Sequence, residues 1–346
     1  MRRKLIILVS IMVIIIMATF TITFFVNKND NEVSDMEDNS ISVVTSFYPV
    51  YVLTQNLADQ ISDIKVDILT DFSAGCLHDY QLTTDDMKVL SDADVFIING
   101  GGMEDYLEDV MDNYPDITVI DLSQDIPMIE SMEHEGEDNP HVWLDPQLYM
   151  IQIENASKGL EQYIKSIGSD SITSENNSNV KNSSKNKSKN ISADKSTDII
   201  NKLSSNTNDY LDKVQDIVDD MNLILDSVKD RALNNDITNK VVIFHDSFAY
   251  LADKAGLEVA YAVEIDEEHP LSAGEIAEVI DIINDEGIRY LFTEKQHDGT
   301  ISDRIKEETG ADIYIIDSAV TGDGSKDSYL EAMRHNIDTL NNAFEQ

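Results

Sequence analysis

The stretch KVVIFHDSFAYLADKAG, Lys240 to Gly256, holds a strand, a polar strand end and a helix in immediate succession. KVVIF is a continuous β-branched and apolar run. That is how a strand covered on both faces of a parallel sheet reads, whereas a strand wetted on one face alternates. FAYLADKAG has apolar residues at helical spacing and is closed by Gly256, a residue suited to a left-handed helix terminus. Between the two, at the carboxyl end of the strand, stands His245.

The same unit recurs on both sides. Downstream, LEVAYAVEI, IRYLFTE and DIYIIDSA read as strands, and SAGEIAEVIDIINDEG, TISDRIKEETG and SYLEAMRHNIDTLNNAF as helices. Upstream, ISVVTSFYPVY, KVDILT, DVFIING and ITVIDLS are strand-like. PVYVLTQNLADQI is helical with proline in its first turn, and TTDDMKVLSDA is a short helix with a Thr/Asp cap. Alternating β and α segments of similar length predict an α/β fold of two lobes, each built on a mainly parallel sheet.

The segments outside this alternation differ in composition. Arg2, Arg3 and Lys4 precede an uninterrupted apolar run from Leu5 to Val26, long enough to cross a bilayer core of roughly 30 Å as a helix. The positive flank keeps the N-terminus cytoplasmic and exports the rest. Residues 1–27 therefore read as a membrane anchor or signal segment, and 28–41 as a polar tether. The expected location is extracytoplasmic, attached to the cell membrane by this N-terminal helix, or secreted if the segment is cleaved. No cysteine follows the run, so a lipoprotein is not expected. The single cysteine, Cys76, leaves stability to packing and not to a disulfide.

Residues 42–166 are expected to form the N-terminal lobe and 234–346 the C-terminal lobe. Residues 167–198 are rich in Ser, Asn and Lys and nearly free of large apolar side chains, which predicts a disordered insertion. Residues 199–233 predict one long helix of about 30 residues, about 45 Å, acting as a rigid strut between the lobes. A formal net charge of −41 argues against nucleic acid and anionic lipid head groups as partners and favours cations, although a solubilising surface explains the bulk of it.

In an α/β sheet, ligands collect outside the carboxyl ends of the strands. His78 in GCLHDYQLTTDD, His141 in NPHVWLDP, His245 in VVIFHDSF and Asp317 in YIIDSAV all fall at such ends or at the helix entrances that follow them. Three imidazoles and a carboxylate form a set of the kind zinc prefers. Glu294, which ends IRYLFTE, is the rival for Asp317, either as fourth ligand or as an acceptor that fixes a histidine tautomer. Pro140 restricts Asn139, and Trp143 and Pro146 hold the other flank, so His141 sits on a fixed backbone. A hydrolase would need an open coordination position and a general base. The chain shows no HExxH pair, and four protein ligands leave little room for an activated water.

The motifs SFYPVYVLTQNLA, GCLHDYQLTTDDMKVLSDADVFIINGGGMEDYL, NPHVWLDPQ, VVIFHDSFAYLADKAGL and SYLEAMRHNIDTL, in this order, resemble the solute-binding proteins of bacterial metal-importing ABC transporters, in their zinc-binding branch. The resemblance runs from about Ser42 to the C-terminus and is interrupted by the low-complexity insertion. It implies two βα lobes joined by one long rigid helix with a metal site in the interlobe cleft. It also implies ligation at His78, His141 and His245 with a second-lobe carboxylate, capture of Zn(II), and delivery to a membrane permease. The expected protein is a monomer and not an enzyme. His245 favours zinc over Mn(II), because the manganese branch has glutamate there; a surface adhesin or interaction protein with a metal site is the alternative. Cys76-Leu77 replaces the family's Asp-Pro pair, so the thiol is either a further ligand or a buried structural group. EHEGEDNPH, with His134, Glu135, Glu137 and Asp138, is a reduced counterpart of the family's His-rich loop, or a solvated acidic turn. NGGGMEDYL lacks the lysine of a phosphate loop and is expected to be a strand-to-helix turn. His269, His297 and His335 are expected at the surface.

Overall fold

The computed structural model describes residues 40–75, 77, 80–132, 136–174, 189, 191–234, 238–263, 271–295 and 299–344. The expected anchor, the tether through residue 39, and Cys76, His78, His134, His269 and His297 lie outside the described residues, while Ile41, expected in the tether, already belongs to the first strand. Among the described residues no helix is long and apolar enough to cross a membrane.

The N-terminal lobe runs β1 (Ile41–Thr45), α1 (Tyr48–Leu57), β2 (Ile64–Ile68), α2 (Thr84–Ser91), β3 (Val95–Ile98), α3 (Leu107–Asn113) and β4 (Thr118–Asp121). Its strands pair in parallel in the order β2-β1-β3-β4. The C-terminal lobe repeats this with β5 (Lys240–Ile243), α6 (Ala249–Lys254), β6 (Glu258–Ala262), α7 (Ala273–Glu286), β7 (Tyr290–Glu294), α8 (Thr300–Thr309) and β8 (Asp312–Ile316), all parallel in the order β6-β5-β7-β8. A final helix, α9 (Ser328–Phe344), closes the chain. In each sheet the chain steps outward from the first strand, then crosses back over it. The switch point therefore lies between β1 and β3 in one lobe and between β5 and β7 in the other, where a crevice forms beyond the strand ends.

Local sequence explains the elements. Pro49 stands in the first turn of α1, where its missing N–H costs no hydrogen bond. Thr83 and Asp86 form a reciprocal capping box at α2. Central strand β3 is buried at every residue, as its run VFII requires.

Two long helices lie between the lobes in sequence, α4 (Pro146–Ser174) and α5 (Ala193–Leu233). The helix joining the lobes is thus 41 residues long, about 60 Å at 1.5 Å per residue, and starts at 193, ahead of the expected 199. Helical structure also enters the stretch expected to be disordered from its other end, through Ser174. Ser192 caps α5 by accepting from Lys195 N–H, and Ile191 is fully buried. A Cβ on Gly168 would meet Ser196 Oγ at 2.5 Å, so small polar residues mark a close helix approach here. Residues 175–188 and 190 lie outside the described residues.

One apolar core passes through both lobes. It includes Trp143, Tyr149, Tyr210 and Tyr329, with the rings of Tyr149 and Tyr329 stacked at 3.8 Å. Trp143 Nε1 donates to Ser318 O at 2.8 Å, and the Tyr329 hydroxyl donates to Trp143 O at 2.8 Å. Lys254 of α6 donates to both carboxylate oxygens of Asp145, at 2.6 and 2.7 Å. Lobes sharing a core should unfold as one unit. Trp143 is the only tryptophan, so its fluorescence and the far-UV circular dichroism are expected to give superimposable urea transitions. A resolved second transition in the dichroism would show the lobes to be independent.

Candidate metal centre

His141 and His245 come from different lobes and meet edge to face, with ring centres 4.7 Å apart and ring planes at 80°. His141 sits just before the 3-10 turn Val142–Leu144 that leads into α4, and it is almost fully buried. His245 follows β5 by two residues, at the switch point, with its side chain 14% exposed.

The protonation of each ring follows from its neighbours. Asn139 Oδ1 accepts from His141 N–H at 3.0 Å and lies 2.9 Å from His141 Nδ1. Asn139 Nδ2 donates to Asp246 O at 2.9 Å. A backbone N–H can only donate and a backbone carbonyl can only accept, so the amide has one orientation and His141 Nδ1 carries the proton. His245 Nδ1 lies 2.9 Å from Glu294 Oε1, which also accepts from Ser247 Oγ at 2.6 Å, while Ser318 Oγ donates to Glu294 Oε2 at 3.1 Å. A carboxylate acceptor likewise places the proton on Nδ1 of His245. Both rings therefore carry their proton on Nδ1 when neutral, which leaves Nε2 as the unprotonated nitrogen. Two imidazoles bound through Nε2 to one ion at about 2.0 Å, with a tetrahedral angle between them, would have ring centres about 5 Å apart. The observed 4.7 Å fits one shared ion.

Glu294 reaches His245 because β7 is the immediate neighbour of β5, whereas Asp317 follows β8, one strand further out. At about 4.8 Å per strand, Asp317 starts about 10 Å from the axis of β5. Its Oδ1 accepts from Ala319 N–H at 2.9 Å, bending the chain after β8, and its Oδ2 lies 3.8 Å from Lys295 Nζ. Of the four expected ligands, the structure brings His141 and His245 together. His78 lies outside the described residues, and the described contacts of the Asp317 carboxylate are with its own loop and Lys295. No group of three or more His, Cys, Asp or Glu side chains that could hold a metal ion occurs among the described residues. His335 is exposed, with Nε2 3.2 Å from Ile315 O.

Two residues that sequence reasoning passed over support the site. Asn139 is one. The other is Glu104, in the glycine turn after β3. Gly100, Gly101 and Gly102 all have positive φ, and a Cβ on Gly100 would meet Asp121 Oδ1 at 1.9 Å. The turn resembles an anion nest, but the chain fills it itself: Glu104 Oε1 accepts from Asn99 N–H at 2.8 Å and Oε2 from Gly100 N–H at 3.0 Å. Asn99 Nδ2 then donates to Pro140 O at 2.9 Å, which ties the turn to the residue before His141.

A family model described as "Zinc-uptake complex component A periplasmic" matches this chain over residues 43–197 and 192–343. The chain is 22% identical over 335 residues to the high-affinity zinc uptake system protein ZnuA of Bacillus subtilis, covering 91% of each. It is 22% identical over 307 residues to the manganese-binding lipoprotein MntA of Halalkalibacterium halodurans, covering 88% of each. The solved structure of FpvC from Pseudomonas aeruginosa in complex with Mn2+ superposes with a TM-score of 0.68 at 20% identity, over 88% of this chain and 98% of that one.

Burial pushes the Glu104 carboxyl up from 4.5 to about 7, against the pull of the two N–H groups. A carboxyl whose affinity for a proton is raised on folding stabilises the fold when protonated. That contribution is complete below its unfolded value and is lost as pH rises through about 7. Stability measured by urea denaturation is expected to fall by roughly 3 kcal/mol over this window, and the slope should flatten in E104Q. Equal slopes in the two proteins would show that Glu104 does not titrate there.

Proposed function

Because the chain belongs to the zinc-uptake complex component A family, we propose that it is the extracytoplasmic component that captures Zn(II) and hands it to the membrane permease of an ABC-type importer. The ion is cargo, held and released without chemical change, so the protein acts as a binding protein and not as an enzyme.

The observation that carries this reading is the pair His141 and His245, one from each lobe, 4.7 Å apart and each held at Nδ1 by a buried acceptor. Their Nε2 atoms bind the ion, together with His78 and the carboxylate of Asp317. Glu294 serves as the acceptor that orients His245. Its carboxylate grips the Nδ1 side of the ring, and in that position it cannot also reach an ion bound at Nε2. Asp317 is then the second-lobe carboxylate that completes the set, once its side chain leaves the Ala319 N–H. Imidazole-rich sets suit zinc better than manganese, which prefers oxygen donors.

H141A and H245A are each expected to weaken zinc binding at least tenfold in a chelator competition, with the circular dichroism unchanged. Zinc affinity equal to that of the parent in both variants would end this reading. D317N is expected to weaken zinc binding more than E294Q. The reverse order in the same titration would make Glu294 the ligand and Asp317 a loop residue.

A further inference from the structure

Asn139 is fully buried, and four of its polar groups have partners. Its N–H donates to Ile129 O at 2.8 Å, and its carbonyl accepts from the Tyr250 hydroxyl at 2.6 Å. These two bonds are made by the backbone and would survive replacement of the side chain. The side chain does something else. Oδ1 accepts from both the N–H and the imidazole Nδ1 of His141, while Nδ2 donates to Asp246 O, the carbonyl of the residue after His245. One amide thus spans from the His141 ring in the first lobe to the backbone that carries His245 in the second.

We propose that the Asn139 side chain is the positioning residue that gauges the metal pair: it fixes the His141 tautomer and sets the spacing of the two imidazoles across the lobes. This rests on the reading of the two histidines as ligands. The reason is geometric. His245 is oriented at Nδ1 by Glu294, which belongs to its own lobe. His141 has Asn139 at Nδ1, and the same side chain reaches the Asp246 carbonyl, at the strand end that carries His245. Removing the amide frees the ring to expose Nδ1, and it unties the ring from the Asp246 carbonyl. Ligand affinity in a fixed site depends on ordering that is already complete before the ion arrives.

The test uses the full chain in detergent, as the parent, N139A and Y250F. Long-range proton–nitrogen spectra of the metal-free protein report the His141 tautomer, and competition with a chelator reports zinc affinity. The parent should show the proton on Nδ1 of His141. N139A should lose this single tautomer and at least tenfold in zinc affinity. Y250F removes a bond to the Asn139 backbone without touching the ring, and it should be less stable yet keep the tautomer and bind zinc within about threefold of the parent. Three results would overturn the proposal: an Nε2-protonated His141 in the parent, which decides the matter even if N139A does not fold; an unchanged tautomer and affinity in folded N139A; or a loss of affinity in Y250F as large as in N139A. A parent chain that takes up no zinc would defeat the proposed function alone, because the tautomer of His141 is read without metal.

Discussion

Trp143 is held from the opposite lobe at both its indole N–H and its backbone carbonyl. The first donates to Ser318 O, and the second accepts from the Tyr329 hydroxyl. The rest of the arrangement depends on this weld. Two histidines from separate lobes can keep a spacing of 4.7 Å only if the lobes do not rotate against each other. Trp143 lies two residues from His141 and packs edge to face on Phe47 at 5.1 Å, so the anchor of the lobes and the placement of the ring are one local structure. The Asp145–Lys254 ion pair and the Tyr149–Tyr329 stack extend the same seam. A seam of this kind opposes hinge motion, and it gives a bound ion a site whose ordering is complete before binding.

Charge at the site is arranged differently from charge on the surface. The chain carries a formal charge of −41, and the described partners of the histidine pair include an amide at His141 and, at His245, the buried carboxylate of Glu294 held by serine hydroxyls. A dication entering a buried position needs compensating negative charge close by. In the proposed site Glu294 would supply one such charge through the His245 ring, since an imidazole is a stronger donor when its Nδ1–H is held by a carboxylate. The acidic surface can raise the local concentration of cations, but it cannot choose among them. Choice belongs to the donor atoms of a site, and imidazole suits zinc better than manganese.

Much of the fold was legible because strand and helix periodicities differ and buried parallel strands read as continuous apolar runs. KVVIF, VFII and their neighbours needed no tertiary information to be placed. The ends of α4 and α5 were not legible in the same way. There, Gly168 and Ser196 serve a close helix approach, and the sequence writes this in the same small polar residues that mark a disordered segment. At the site, His141 and His245 were recognisable as strand-end histidines. The partner of His245 depended on strand order. The sequence places Glu294 and Asp317 each at the end of an apolar run, but nothing in it says that β7, and not β8, lies beside β5. Asn139 was read only as a residue restricted by Pro140, since a side chain that bridges two lobes leaves no periodic trace. Glu104 stood in plain view after three glycines. Its role needed the turn to close around it.

The two lobes answer the same geometric problem in two ways. Each sheet has the order second, first, third, fourth, and each leaves a crevice between its first and third strands. In both, a buried carboxylate contributed at or just after the third strand lies at that crevice: Glu104 following β3, and Glu294 ending β7. Glu104 uses its oxygens on backbone N–H groups and so locks a turn, with Asn99 passing the constraint to Pro140. Glu294 uses its oxygens on serine hydroxyls and on the His245 ring, and so orients that side chain through Nδ1. The first carboxylate fixes the backbone that brings His141 to the seam, and the second fixes the ring that meets it there. With the same sheet topology on both sides, the division between a supporting lobe and a ligand-orienting lobe comes from what each carboxylate is given to bind.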